Sequence, residues 1–190
     1  MTRILPRVIG EGFGVVLKAA QTGDSDAFAT LWRDTNPLLL RYLRLLDPSA
    51  AEDLAAETWL NVVRGLRKFE GDELAWRGWM FTIARRPVVD EIRRKIRQPA
   101  DPLAWRYDGG SVAEDSADVA LRNLDTRAAL ELVATLPPLQ AEVIVLRVVA
   151  GLPVDIVAKI VNRSAGAVRV AAHRGLRTLA GVLSEKGVTL

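Results

Sequence analysis

The chain has 190 residues and a mass of 20.8 kDa, with 49% hydrophobic and 26% charged residues and a net charge of +3. No run approaches the roughly 18 apolar residues of a membrane span, zero cysteines exclude disulfides and thiolate chemistry, and a single histidine, His173, excludes a His-rich metal cluster. The expectation is a cytoplasmic globular protein with no catalytic residues, no cofactor, no metal and no membrane insertion; Glu11 and three glycines interrupt the amino end, which does not read as a signal peptide.

Nearly every stretch carries helical periodicity, and none alternates long enough for a sheet, so the expected fold class is all-α. A first helix spans roughly Glu11 to Gln21 and stops at the turn Gly23-Asp24. In the second, Leu31, Leu38, Leu39, Tyr42, Leu43, Leu45 and Leu46 recur at three- and four-residue steps up to Asp47-Pro48-Ser49. Ser49, three residues before Glu52, reads as a capping box that starts a third helix. Phe69 to Leu74, with Gly71, reads as a loop, followed by an aromatic turn and a helix from about Trp79 to Arg97 in which Pro87 fits only near a helix start.

Gln98 to Asp118 holds Pro99, Pro102 and the pair Gly109-Gly110, which resist regular structure. This stretch is the expected flexible linker, 98–118, between two small helical domains, 11–97 and 119–186. The second begins with a helix from about Leu121 to Thr135, stopped by Pro137-Pro138. An apolar helix over Leu139 to Val149 follows, then a short helix over Pro153 to Val161 and a last helix capped by Ser164. Two helices joined by a few residues, the second basic, form a helix-turn-helix pattern.

On a helical wheel Val168, Ala172, Leu176, Leu179 and Leu183 share an arc of roughly 80° that faces a core, while Arg169, His173, Arg177, Val170 and Arg174 share another of roughly 140°. Charge is segregated along the chain as well. Arg85 to Arg97 has six basic and two acidic residues, Lys159 to Arg177 has five basic and none acidic, and Asp101 to Asp125 between them has six acidic and two basic. Two cationic segments separated by an anionic one suit two contacts with a single polyanion.

Five of the eleven aromatic residues lie between Trp59 and Phe81, directly before the first basic segment. Aromatic rings beside arginines hold unstacked bases, although Trp59, Trp79 and Phe81 taken singly read as core. Glu52, Asp53 and Glu57 cluster on the third helix, where they would repel DNA; they read either as a protein-docking face or as ordinary helix-start acids.

In order and spacing, Asp24 to Leu183 resembles the sigma-70 family of bacterial transcription initiation factors, in its extracytoplasmic-function (ECF) class. The motifs are Ala51-Glu-Asp-Leu-Ala-Ala-Glu-Thr-Trp59, then Trp76 to Arg94, Leu136-Pro-Pro-Leu-Gln140 to Arg147, and Gly151 to Ala158 with Gly166 to Arg174. The resemblance implies a region 2 bundle and a region 4 helix-turn-helix, with no catalysis of their own. It further implies binding to core RNA polymerase, region 2 on the clamp helices and region 4 on the flap, and to promoter DNA, whose minus-35 element is read as duplex while the minus-10 element is melted. An anti-sigma protein is the expected regulator.

Carried over by motif, Glu52, Asp53, Glu57 and Leu60 would dock on polymerase. Phe69, Trp76, Arg77, Trp79, Arg85, Arg86, Arg93 and Arg94 would serve the minus-10 element. Ser164, Arg169, His173 and Arg174 would serve the minus-35 element, with Arg163 and Arg177 on phosphates. Two positions depart from the family pattern. Arg86 stands where many members have an asparagine that holds an extruded base, and Val170-Ala171 stands where many have serine-arginine, so promoter preference is left open. A linker of 21 extended residues reaches at most about 70 Å, some two turns of B-DNA. The alternative reading is a helix-turn-helix regulator with a sensing or dimerising front half, which would bind duplex DNA without polymerase.

Overall fold

The computed structural model describes residues 9–97 and 128–185, with side chains for all of these except residues 11, 90–97 and 185. A 3-10 turn, Gly10–Gly12, leads into α1 (Phe13–Gln21), followed by α2 (Ser25–Leu46), α3 (Ala51–Leu66) and α4 (Glu73–Arg97). The second half contributes α5 (residues 128–134), α6 (Pro138–Ile144), which runs on as a π-helical turn Val145–Val149, α7 (Val154–Val161) and α8 (Ala165–Glu185). The described residues hold no strand, as the sequence periodicity implies. The expected linker, 98–118, and the start of the second domain lie outside the described residues.

Local chemistry sets the helix starts. Asp24 Oδ1 accepts from the amides of Asp26 and Ala27, both at 2.9 Å, and caps α2. Asp72 Oδ1 accepts from the Ala75 amide at 2.8 Å and starts α4 at Glu73, six residues before the expected Trp79. The aromatic turn is therefore the first part of that helix, and Pro87 lies in its interior rather than near its start. Having no N–H, Pro87 leaves the carbonyl of Ile83 without its helical donor. Nor is α3 held by the expected capping box. Ser49 Oγ instead donates to Asp47 Oδ1 (2.7 Å), which also takes the Ala50 amide (3.2 Å), while Glu52 pairs with Arg44. Asp47, two residues before Ser49, thus takes both the Ser49 hydroxyl and the Ala50 amide ahead of α3.

The apolar stripe of α2 (Leu31, Leu38, Leu39, Tyr42, Leu43) packs with Trp59 and Val62 of α3 and with Trp76, Met80, Phe81 and Ala84 of α4. Trp76 is fully enclosed, with Phe69 edge-on to its ring at 5.5 Å. The same hydrophobic cluster continues without a break into Val143 and Leu146, then Leu152 and Val157. α4 packs on α7, and α2 on α6, so the two halves share one core.

Polar contacts cross that seam as well. Tyr42 Oη donates to Glu142 Oε1 at 2.8 Å, Arg85 Nε donates to the same oxygen at 2.7 Å, and Arg77 Nη1 lies 3.5 Å from the carbonyl of Ala150. Gly78 meets the second half through lack of a side chain, since a Cβ there would stand 2.5 Å from Cγ2 of Ile156.

Candidate nucleic-acid interface

The second half forms the helix-turn-helix that the sequence implies. α7 ends at Asn162 in the left-handed conformation (φ 52°), a backbone state that asparagine tolerates better than most residues. The amide of Arg163 then reaches back to the carbonyl of Ala158 at 3.0 Å, which turns the chain. Ser164 Oγ accepts from the amide of Ala167 at 3.2 Å and caps α8 as expected. Val157, Ile160 and Val161 pack against Val168 and Ala171, fixing the angle at which α8 leaves.

α8 buries a slightly different stripe from the one expected. Val168, Ala171 and Gly175 are buried, whereas Leu176 is 49% exposed and does not face the core. The cause is a close approach, for a Cβ on Gly175 would lie 2.6 Å from Cδ1 of Ile144, so α8 turns its glycine rather than its leucine toward α6. The opposite face presents Arg169, His173, Arg174 and Arg177, with Arg163 and Ser164 at its amino end, all exposed. Among the described residues, no carboxylate pairs with these arginines. A helix with this row of donors fits a B-DNA major groove about 12 Å wide.

In the first half, the acids of α3 stand on an exposed face. Asp53, Glu57 and Leu60 follow at four- and three-residue steps, Leu60 is 58% exposed, and Val63 lies exposed one turn on. Glu52 also reaches solvent but is tied to Arg44 at 2.7 Å. Trp59 belongs to the core, its Nε1 donating to Asn36 Oδ1 at 2.9 Å.

The residues expected to serve the minus-10 element divide into three groups. Arg86 is exposed and lines a groove of about 480 Å³ with Glu57, Asn61, Trp79, Ile83 and Pro87; Phe69 stacks on Trp79 at 5.0 Å and supports it. Trp76, Arg77 and Arg85 are not free in this arrangement. Trp76 has no exposure. Arg77, 3% exposed, is held by Glu73 at 2.8 Å and Asp34 at 3.2 Å. Arg85 is taken by Glu142. The side chains of Arg93 and Arg94 lie outside the described residues.

Asn61 and Ile83 were missed in the sequence, although the four-residue step from Glu57 to Asn61 could have placed Asn61 on this face. Glu142 carries no local signal at all, since its partners Tyr42 and Arg85 are 100 and 57 residues away.

Electrostatics follow burial. Burial pushes the Asp34 carboxyl above its ordinary range, and the nearby Arg77 offsets this only in part. Burial first, then Glu142, raises the Tyr42 phenol well above its ordinary range. Burial alone would lower Arg85, but its hydrogen bond and charge pairing with Glu142 outweigh that and raise it. No group of three or more metal-ligating side chains occurs among the described residues, and none of the described helices is long and apolar enough to cross a membrane.

Comparison with known proteins gives two family matches, Sigma-70 region 2 over residues 25–98 and Sigma-70, region 4 over residues 126–179. The ECF RNA polymerase sigma factor ShbA of Streptomyces griseus is 32% identical over 185 residues, covering 90% of this chain and 95% of that protein. SigD of Mycobacterium tuberculosis is 31% identical, covering 90% and 83%. BldN of Streptomyces coelicolor is 30% identical over 90% of this chain, which spans only 65% of BldN's own length. Two solved structures share the fold. RpoE of Bartonella quintana, in complex with the anti-sigma factor NepR, has a TM-score of 0.65 at 23% identity, over 83% of this chain and 96% of that one. CnrH, in complex with the cytosolic domain of CnrY, has a TM-score of 0.61 at 18% identity, over 92% and 99%.

Proposed function

This chain belongs to the sigma-70 family of RNA polymerase sigma factors, in the ECF class, and from that membership we propose that it joins core RNA polymerase and directs it to promoters by minus-35 and minus-10 recognition. The observation that carries this reading is the capped α8, which leaves a helix-turn-helix with Arg169, His173, Arg174 and Arg177 exposed and without a carboxylate partner among the described residues. In the major groove these side chains donate to base edges and phosphates, the guanidinium forks matching guanine O6 and N7.

Polymerase docking falls to the exposed stripe Asp53, Glu57 and Leu60 with Glu52, where the acids set orientation and the leucine supplies apolar contact. The minus-10 strand, once opened, falls to the groove beside Arg86 and Trp79, with Phe69 bracing the indole. On this reading the chain acts in the cytoplasm as a binding factor without catalysis of its own. It is held in reserve by an anti-sigma partner, as RpoE is bound by NepR.

The deciding experiment is run-off transcription with core polymerase over a library of promoter sequences. Defined start sites that depend on the added chain are expected. Polymerase that neither binds the chain nor starts at new sites in its presence overturns the reading, and duplex binding without polymerase would favour the helix-turn-helix regulator instead.

A further inference from the structure

Resting on the minus-10 reading above, we propose that Gln21, the last residue of α1, is a positioning residue of the strand-binding site: its side-chain amide clamps the loop between α3 and α4 in the shape that an opened strand meets. Gln21 Nε2 donates to the carbonyl of Leu66 at 2.9 Å and to the carbonyl of Phe69 at 2.8 Å, 45 and 48 residues along the chain. Both partners are acceptors only, so the amide stands with its nitrogen toward the loop, and both of its hydrogens are used.

α1 itself has no need of this side chain. Its end is closed by Thr22, whose amide reaches the carbonyls of Lys18 and Ala19 and whose hydroxyl donates to Ala19 at 2.8 Å. Leu66 ends α3, where carbonyls lack helical donors, and Gln21 supplies one from another helix.

The clamp reaches the groove in two steps. Phe69 is gripped at its backbone by Gln21 and at its ring by two indoles, edge-on to Trp76 at 5.5 Å and stacked on Trp79 at 5.0 Å. Trp79 in turn lines the groove that holds Arg86 and Asn61. Beyond Phe69 the chain is steered by Gly71, where a Cβ would stand 2.8 Å from Cβ of Ala75, and by the Asp72 cap on α4. Arg67 and Lys68, between the two clamped carbonyls, are exposed, and no carboxylate pairs with either among the described residues. A backbone fixed on both sides of these cations keeps them ready for the phosphates of a strand whose base lies against Trp79, so the loop is ordered before the strand arrives.

The test uses the full chain assembled with core polymerase. Gln21→Met keeps the length of the side chain without a donor, and Gln21→Glu keeps its shape while placing oxygens against both carbonyls. Affinity is measured for a single-stranded oligodeoxynucleotide carrying the minus-10 sequence of a promoter that the parent chain uses, and separately for a duplex carrying the minus-35 element alone. Both variants are expected to bind the strand about tenfold more weakly, since apparent affinity falls with the fraction of sites already in binding shape. Both should bind the duplex as the parent does. A merely structural role would lower thermal stability without splitting strand from duplex. Backbone hydrogen exchange over residues 66–72 should rise in both free variants. In the parent chain, which needs no substitution, the two side-chain amide protons of Gln21 should exchange slowly with solvent.

Unchanged strand affinity, or an equal loss on strand and duplex, overturns the positioning role. Fast exchange of both Gln21 amide protons overturns the clamp even where the variants fail to fold. Failure of the promoter reading would appear differently, as a parent holoenzyme that neither retains the strand nor starts transcription at defined sites.

Discussion

Gly65 of α3 and Trp79 of α4 touch because one of them lacks a side chain: a Cβ on Gly65 would stand 2.6 Å from Cζ2 and 3.0 Å from Cη2 of the indole. The glycine lets the indole lie across α3, where its ring stacks on Phe69 with an interplanar angle of 29°. Close helix packing thereby sets the wall of the groove that also holds Arg86 and Asn61.

Gly65→Ala is expected to destabilise the fold by about 1–3 kcal/mol through overpacking, despite alanine's better helix propensity. Trp79→Leu in the same chain should return part of that loss by making room. A double-mutant cycle measured by denaturant unfolding checks this, and additive effects of the two changes would refute the contact as the cause.

Arg169→Ala and Arg174→Ala are each expected to weaken binding of the holoenzyme to its minus-35 duplex by about 1–3 kcal/mol where the contact is to a base edge. Titration against matched and substituted duplexes reads it. Equal losses on every sequence would reassign that residue to phosphate.

Paired reversal of Asp53→Lys and Glu57→Lys should abolish association with core polymerase and leave helicity unchanged, because both side chains are exposed and neither supports the core. Co-purification with polymerase and circular dichroism report the two halves of this expectation. Normal holoenzyme assembly would contradict the docking assignment.

Binding to promoter DNA should fall linearly on a log-log plot against salt, by about 0.9 per phosphate neutralised. Arg163→Ala or Arg177→Ala should lower that slope by about one unit while leaving sequence preference intact. A slope identical to that of the parent chain would remove the residue from the phosphate set.

Asp34 gives a pH-dependent expectation. Its carboxyl is raised in the folded state, chiefly by burial, so between the ordinary carboxyl range and the raised value the unfolded chain releases this proton and the folded chain keeps it. Its contribution to stability is therefore present at low pH and lost as pH rises through the folded value. Relative to the parent chain, Asp34→Asn should gain stability as pH climbs from 4 toward 7, on top of any constant cost from its contact with Arg77. A stability difference that does not change with pH over that range would contradict the burial effect.

Much of the fold was legible in the sequence because its signals are local. The three-and-four periodicity of Leu31 to Leu46, the cap at Ser164 and the cationic arc of α8 each depend on residues within a few turns of one another, and the structure keeps all three. Where local signals competed, the sequence reading slipped. The α3 start went to Asp47 rather than Ser49, because the preceding turn brings that carboxylate to the Ala50 amide. α8 rotated so that Gly175 rather than Leu176 met Ile144, a choice made by the distance between two helices and not by either helix alone.

Which arginines are free was decided by tertiary structure. Arg77, Arg85 and Arg86 lie within ten residues on one helix and look alike as letters. Yet Arg77 meets Asp34 from 43 residues away and Arg85 meets Glu142 from 57 away, while Arg86 stays exposed. The amino-acid order by itself determined the helical class, the Ser164 cap and the cationic face of α8, since these arise from neighbours along the chain. Only tertiary packing could bring Asp34 to Arg77 and Glu142 to Arg85, because a buried charge is held by whichever opposite group the fold brings within about 3 Å.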